Sequence, residues 1–153
     1  MLFTPMMIQF LMDTGITLLT IAGMEALSWG IHKYLFHGPL WFIHKTHHQR
    51  NKESWLEWND LFSMSFAALS MWLMWIGHEK FDYRFWIGIG ISIYGIIYFI
   101  FHDWYIHSRM RPFRTYNRYL LNIRRAHKIH HKSTERLPAE EFGLLVTRKQ
   151  YFK

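Results

Sequence analysis

The stretch Phe85–His107, FWIGIGISIYGIIYFIFHDWYIH, decides how this chain is read. Its first 17 residues, Phe85 to Phe101, carry no charge. A run of that length lies within the range for a helix that crosses the hydrocarbon core of a bilayer. The run then continues into His102 and His107 and stops before the breaker Pro112. A membrane helix that ends in two imidazoles points to chemistry at the membrane boundary.

Working outward, Leu61 to Gly77 is a second uncharged run of 17, preceded by Asn59-Asp60 as a helix-capping signal. Between the two runs lies a short connection with His78, Glu79, Lys80, Asp82 and Arg84. At the start of the chain, Thr4-Pro5 reads as an N-cap with proline at the first helical position. The apolar helix it opens extends to about Phe36, about 48 Å at 1.5 Å per residue. That exceeds the roughly 30 Å hydrocarbon core. The surplus should project from one face and carry His32 and His37, before Gly38-Pro39 ends it. Three such segments in 153 residues argue against buried helices of a soluble protein. Trp41–Arg50 and Tyr116–Lys132 read as amphipathic helices at the interface. The fold class expected is therefore all-α integral membrane, with about three transmembrane helices plus interfacial helices. No linker rich in Pro, Gly or Ser breaks residues 1–153, so a single domain is expected.

Composition narrows the function. The mean hydropathy of -0.08 hides segregation, because apolar residues gather in the spans while His, Lys and Arg fill the gaps. The absence of cysteine excludes disulfides, Cys-based zinc sites, iron–sulfur clusters and cysteine nucleophiles. The net charge of +7 comes without any nucleic-acid-binding pattern, so a basic surface beside the membrane is the better reading. Lys45–Lys52 and Arg109–Lys153 hold 15 of the 18 Lys and Arg. By the positive-inside rule that side is cytoplasmic, which puts the N-terminus outside and all the histidine clusters on one face. The N-terminus shows neither a basic region with a cleavage site nor a transit-peptide pattern, so a prokaryotic inner membrane is expected.

Ten of the eleven histidines fall into four clusters, HKYLFH (His32, His37), HKTHH (His44, His47, His48), HDWYIH (His102, His107) and HKIHH (His127, His130, His131). H-x4-H and H-x2-H-H alternate, so the chain carries the same motif pair twice. Neutral imidazole is the commonest protein metal ligand, and ten suit two metal ions. On a helix, positions i, i+3 and i+4 share a face, so each H-x2-H-H should present three imidazoles to one point. Positions i and i+5 diverge on a regular helix and can converge only where it ends or is distorted. Gly38-Pro39 and Pro112 supply such breaks. His78 is isolated in the opposite loop and is excluded. Glu-x-x-His of carboxylate di-iron bundles and H-E-x-x-H of zinc proteases are both absent. Imidazole suits Zn, Cu, Fe and Ni, so ligand type alone leaves the metal open, with iron favoured.

The motif order resembles the membrane fatty-acid hydroxylase and desaturase superfamily. More closely, the segments GMEALSWGIHKYLFHG, EWNDLFSMSFAALS, YGIIYFIFHDWYIH, RAHKIHH and EFGLL resemble the landmarks of the bacterial β-carotene hydroxylase (carotenoid 3-hydroxylase) family, in its order. The resemblance implies a di-iron monooxygenase that uses O2 and two external electrons. It would hydroxylate C3 of the β-ionone ring, converting β-carotene via β-cryptoxanthin to zeaxanthin. It also implies a ligand partition, with His32, His37, His44, His48 and His130 on one iron. The other iron would take His47, His102, His107, His127 and His131. Zinc could replace iron in a purified sample.

Four acidic or amide residues could support these imidazoles. Asp103 lies four residues before His107 on the same helical face and could accept the N–H of a ligating imidazole. Glu25 lies within the first span, where a carboxylate is costly, and could orient a histidine or pair with a basic residue. Asn59 and Asp60 could do the same, although capping explains them equally well. No catalytic residue beyond the metal ligands is expected. The chain has no G-x-G-x-x-G, so electrons must come from a separate donor. The stretch Arg109–Arg125 could dock an acidic ferredoxin-like protein or anionic membrane lipid. The rival readings are an oxygenase acting on a fatty acyl or sterol C–H bond, and a non-catalytic metal-binding membrane protein.

Overall fold

The structure is a computed structural model that describes residues 4–49, 56–111 and 113–151. Among these the chain is helical, with no strand. Helix α1 (Pro5–Gly30) continues without interruption into a π-helical segment, π1 (Ile31–Phe36). Then come α2 (Trp41–His48), α3 (Asp60–Gly77) and α4 (Tyr83–Tyr98), which runs into a second π-helical segment, π2 (Phe99–Ile106). Helix α5 (Arg118–His130) and a short 3-10 turn (Lys149–Tyr151) follow. Pro5–Phe36, Asp60–Gly77 and Tyr83–Ile106 are long and apolar enough to cross a membrane. In the most apolar window of the first, no residue is buried. A long apolar helix with so little of its surface covered needs lipid as its solvent. The three expected spans are all present, within two residues of their expected starts. The interfacial helices are shorter than expected. Arg50, Lys52, Pro112 and Lys153 lie outside the described residues.

The chain divides into two compact units. The first joins the part of α1 up to Met24 with Phe62–Ile96. Its packing rests on the glycines of the GIGIS run in α4. A Cβ on Gly88 would stand 2.8 Å from the Ser70 carbonyl oxygen of α3, and one on Gly90 would stand 2.6 Å from Thr20 Cβ of α1. Neither position has room for a side chain, so the backbones approach closely, as membrane helices do where small residues meet. Ser70 Oγ lies 2.8 Å from the Gly88 carbonyl, to which it donates, and 2.6 Å from Ser92 Oγ. With these bonds the buried hydroxyl is satisfied where no water reaches.

The second unit comprises Glu25–Leu61 and Ile97–Lys153, and it contains all ten clustered histidines. Tyr105, Ile106, Ile123 and Leu144 form its buried apolar centre, flanked by Tyr98, Phe101, Phe113, Leu120 and Leu145. Helix α5 begins at Asn117, whose side chain accepts from the Leu120 amide at 3.1 Å. It buries Ile123 and Ala126 on one side. His78, excluded on sequence grounds, belongs to the first unit, is exposed, and bonds to the Trp75 carbonyl.

Replacing Gly88 with valine should force Ser70 and Met74 aside. The expected cost is about 1–3 kcal/mol, as for other overpacked cores, read as a lower melting temperature of the detergent-purified protein. An unchanged melting temperature would show that the close approach at Gly88 is dispensable.

Candidate metal centre

The two H-x4-H pairs lie along the π-helical segments. In a π-helix the backbone bonds run i to i+5. His37 N–H donates to the His32 carbonyl at 3.0 Å, and His107 N–H to the His102 carbonyl at 2.9 Å. The wider turn brings residues five apart over one another, which a regular helix does not. The sequence required a distortion here, and this is its form. In the first segment Gly38 then ends the turn, since a Cβ there would overlap the Tyr34 carbonyl oxygen at 1.9 Å. In the second the stop comes at Ser108, four residues before Pro112. Ser108 takes a left-handed φ of 54°, and the Arg109 amide turns back to the Asp103 carbonyl at 3.0 Å. That bond spans six residues, one more than the Schellman cap of an α-helix, in keeping with the wider π-helical turn it closes.

The ring nitrogens gather in two groups. One nitrogen each from His32, His37, His44, His48 and His130 lies within 4.8 Å of the others in its group. The same holds for His47, His102, His107 and His127. Each H-x4-H pair therefore stays within one group, whereas each H-x2-H-H is divided. On α2, His44 and His48 enter the first group and His47 the second. On α5, His130 enters the first and His127 the second. The expectation that each triplet meets at one point is corrected, because two centres lie side by side along the same helical face. His131 stands beside the second group without joining its nitrogen set. Its ring lies 4.7 Å from that of His107 and 4.6 Å from that of His127, and stacks on His48 at 4.3 Å.

The hydrogen bonds fix which nitrogen faces inward. Nδ1 of His32, His37, His48 and His130 bonds to the main-chain carbonyls of Phe142, Arg136, Ser133 and Glu140, at 2.7–2.9 Å. All four carbonyls belong to one strap after α5, residues 133–142. Nδ1 of His44 bonds to Asn59 Oδ1 at 3.0 Å. For His47 and His102 of the second group the acceptors are anionic. His47 Nδ1 lies 2.6 Å from Glu57 Oε2, and His102 Nδ1 lies 2.9 Å from Asp103 Oδ1. A carbonyl or carboxylate can only accept, so each of these Nδ1 atoms carries the proton.

Their Nε2 atoms, bare in neutral rings, then face one another. Nε2 of His32 lies 3.0 Å from that of His44, and His130 Nε2 lies 3.2 and 3.1 Å from those of His37 and His48. Two lone pairs at that distance repel unless a cation sits between them. Protons do not serve at neutral pH, since burial lowers His44 to about 2, His130 to about 3 and His48 to about 4. Burial and neighbouring imidazoles depress His47, His127 and His131 as well. Nε2 of His47 and of His131 is buried with no hydrogen-bond partner. Convergent, deprotonated, buried imidazole nitrogens are the donor set a metal ion requires.

The supporting residues differ in part from expectation. Asn59 Oδ1 accepts from His44 Nδ1, a partner the sequence did not single out. Asp103 accepts from its chain neighbour His102. Glu25 Oε1 accepts from the amides of Leu144, Leu145 and Val146 at 3.2, 2.8 and 3.2 Å. These amides form a nest for an anion, made in a turn where a Cβ on Gly143 would meet the Val146 carbonyl at 2.5 Å. Glu25 thus anchors the chain just beyond the strap whose Phe142 carbonyl receives His32. Asp60 accepts the Glu57 amide at 2.9 Å, closing a helix cap, and pairs with Arg109 at 3.0 Å. Glu57 was missed, although it opens the string EWND, because nothing in its spacing links it to His47. Arg109, counted with the basic docking stretch, is instead turned inward, its side chain 12% exposed.

Comparison with known proteins places these residues in context. The fatty acid hydroxylase family model matches residues 17–148. A β-carotene hydroxylase of Paracoccus sp. (strain PC1) is 37% identical over 91% of this chain and 84% of its own length. One from Pantoea ananas is 39% identical over 85% and 74%. The chloroplastic β-carotene 3-hydroxylase 2 of Arabidopsis thaliana is 30% identical over 84% of this chain but 43% of its own. No solved structure matches.

The depressed histidines set a pH signature for the metal-free chain. An unfolded histidine titrates near 6.5, and His48 in the fold near 4. Between these values the unfolded state binds more protons, so stability falls as pH is lowered. Chemical denaturation of the metal-stripped protein should show a midpoint constant above pH 6.5 that declines from there to pH 4. A midpoint flat across that window would contradict the burial of neutral imidazoles.

Proposed function

Since the chain belongs to the fatty acid hydroxylase family and is a hydroxylase, we propose that its substrate is a carotenoid and its cofactor two iron ions. The reaction is O2-dependent hydroxylation at C3 of the β-ionone ring, taking β-carotene via β-cryptoxanthin to zeaxanthin. The facing, proton-free Nε2 atoms of buried histidines are the observation that carries the metal reading. The names of the bacterial relatives carry the substrate.

His32, His37, His44, His48 and His130 would hold one ion. His47, His102, His107 and His127 would hold the other, with His131 as the fifth ligand of this set. When bound, the metal pair supplies O2 activation for insertion into a C–H bond. The protein's part is to present neutral imidazoles. The Nδ1 acceptors hold each proton on the outer nitrogen and fix the ring's direction. Burial excludes water from the ring nitrogens. The apolar spans keep the chain in the phase where a C40 hydrocarbon dissolves. Residues 1–153 act as one catalytic domain, in a prokaryotic inner membrane with the histidines on the cytoplasmic side. An acidic ferredoxin-like donor, or anionic lipid, would meet the exposed cations Arg111, Arg114, Arg118, Arg125 and Lys128. Zinc would fit the same nitrogens without supplying redox chemistry.

The test is carotenoid analysis in a host that accumulates β-carotene and expresses the chain with a competent donor. β-Cryptoxanthin and zeaxanthin should accumulate, and His47→Ala should reduce them below detection. Unchanged β-carotene would reject the substrate. Conversion of a fatty acyl or sterol instead would favour the other oxygenases of the family. A reduced, metal-loaded protein that consumes no O2 would indicate a non-catalytic metal-binding protein.

A further inference from the structure

The two histidine groups are supported in different ways. Most of the first leans on main-chain carbonyls of the 133–142 strap, which no substitution removes. In the second, His47 and His102 lean on two carboxylates, and both are tied to Arg109. The same Glu57 Oε2 that accepts from His47 Nδ1 at 2.6 Å is 2.9 Å from Arg109 Nη2. The same Asp103 Oδ1 that accepts from His102 Nδ1 at 2.9 Å is 3.7 Å from Arg109 Nε. Arg109 Nη1 also reaches both oxygens of Asp60, at 3.0 and 3.1 Å. One guanidinium therefore stands within ion-pair distance of three carboxylates, hydrogen-bonded to Asp60 and charge-paired with Glu57 and Asp103. Its backbone is held as well, through the left-handed Ser108 turn and the amide bond to Asp103.

We propose that Arg109 is the positioning residue of the second histidine group. It holds Glu57 and Asp103 in register, and through them sets the direction in which His47 and His102 offer Nε2 to a metal. This rests on reading the histidines as metal ligands. Without the guanidinium, two carboxylates about one arginine's breadth apart repel each other and swing toward water. The rings they hold then lose their orientation. The first group has no link of this kind to Arg109 among its Nδ1 acceptors, so the effect is confined to the second.

The test is titration of the metal-stripped, full-length chain in detergent with Co(II), followed by the visible absorption of the bound ion. Two backgrounds isolate the groups: His37→Ala/His130→Ala leaves the second group to bind, and His102→Ala/His127→Ala leaves the first. Arg109→Gln should weaken Co(II) binding about 10–100-fold in the former background, as loss of an outer hydrogen-bonding partner does elsewhere. In the latter it should leave affinity and spectrum unchanged, which also shows that the variant folds. Should Arg109→Gln not fold, Glu57→Gln keeps the side-chain shape and should give the same selective loss. Equal weakening in both backgrounds, or none at the second group, would overturn the proposal. Absence of Co(II) binding in both backgrounds before Arg109 is changed would instead refute the metal reading beneath it.

Discussion

Seven of the ten clustered histidines give their Nδ1 proton to an oxygen outside the cluster. Every such bond leaves an unprotonated Nε2, and several of these point at one another at about van der Waals contact or closer. Burial removes the option of protonating them. The arrangement favours cations among the nitrogens, and the rest of the second unit can be understood as the means of assembling it. The π-helical segments bring His32 over His37 and His102 over His107. Helix α2 divides its three imidazoles between the groups, and α5 sends His130 to the first and His127 to the second. The strap after α5 supplies carbonyls, and Glu25 holds the chain just beyond the strap.

The two groups have unlike surroundings, and this has a chemical consequence. A carboxylate behind an imidazole makes the ring a stronger donor than a carbonyl does. His47 and His102 therefore present more electron-rich nitrogens than the strap-bound rings of the first group. Three acidic side chains around a single arginine leave net negative charge beside the second group, which favours a bound cation. Two metals held here would be unequal in affinity and in electronic character, although both donor sets are imidazole.

Much of this was legible in the sequence. Apolar runs marked the spans, and the breaks in charge and the Gly-Pro and Asn-Asp signals marked their ends. The four histidine clusters marked the site. What escaped has physical reasons. Main-chain acceptors such as the carbonyls of Ser133, Arg136, Glu140 and Phe142 leave no signature in residue type. The i, i+5 spacing demanded a distortion, but only the backbone shows that it is a π-helix filling the whole interval. Arg109 looked like one more cation in a basic stretch, because inward and outward arginines read alike until Ser108 turns the chain.

The central claim is that the histidines form two metal sites in one chain. The most direct measurement is the metal content per chain after reconstitution with excess Fe(II) and removal of loosely held ions, by mass spectrometry with X-ray absorption at the iron edge. The account predicts two iron atoms per chain with a nitrogen-rich ligand shell dominated by imidazole. One iron or none per chain, or a shell dominated by oxygen, would contradict it.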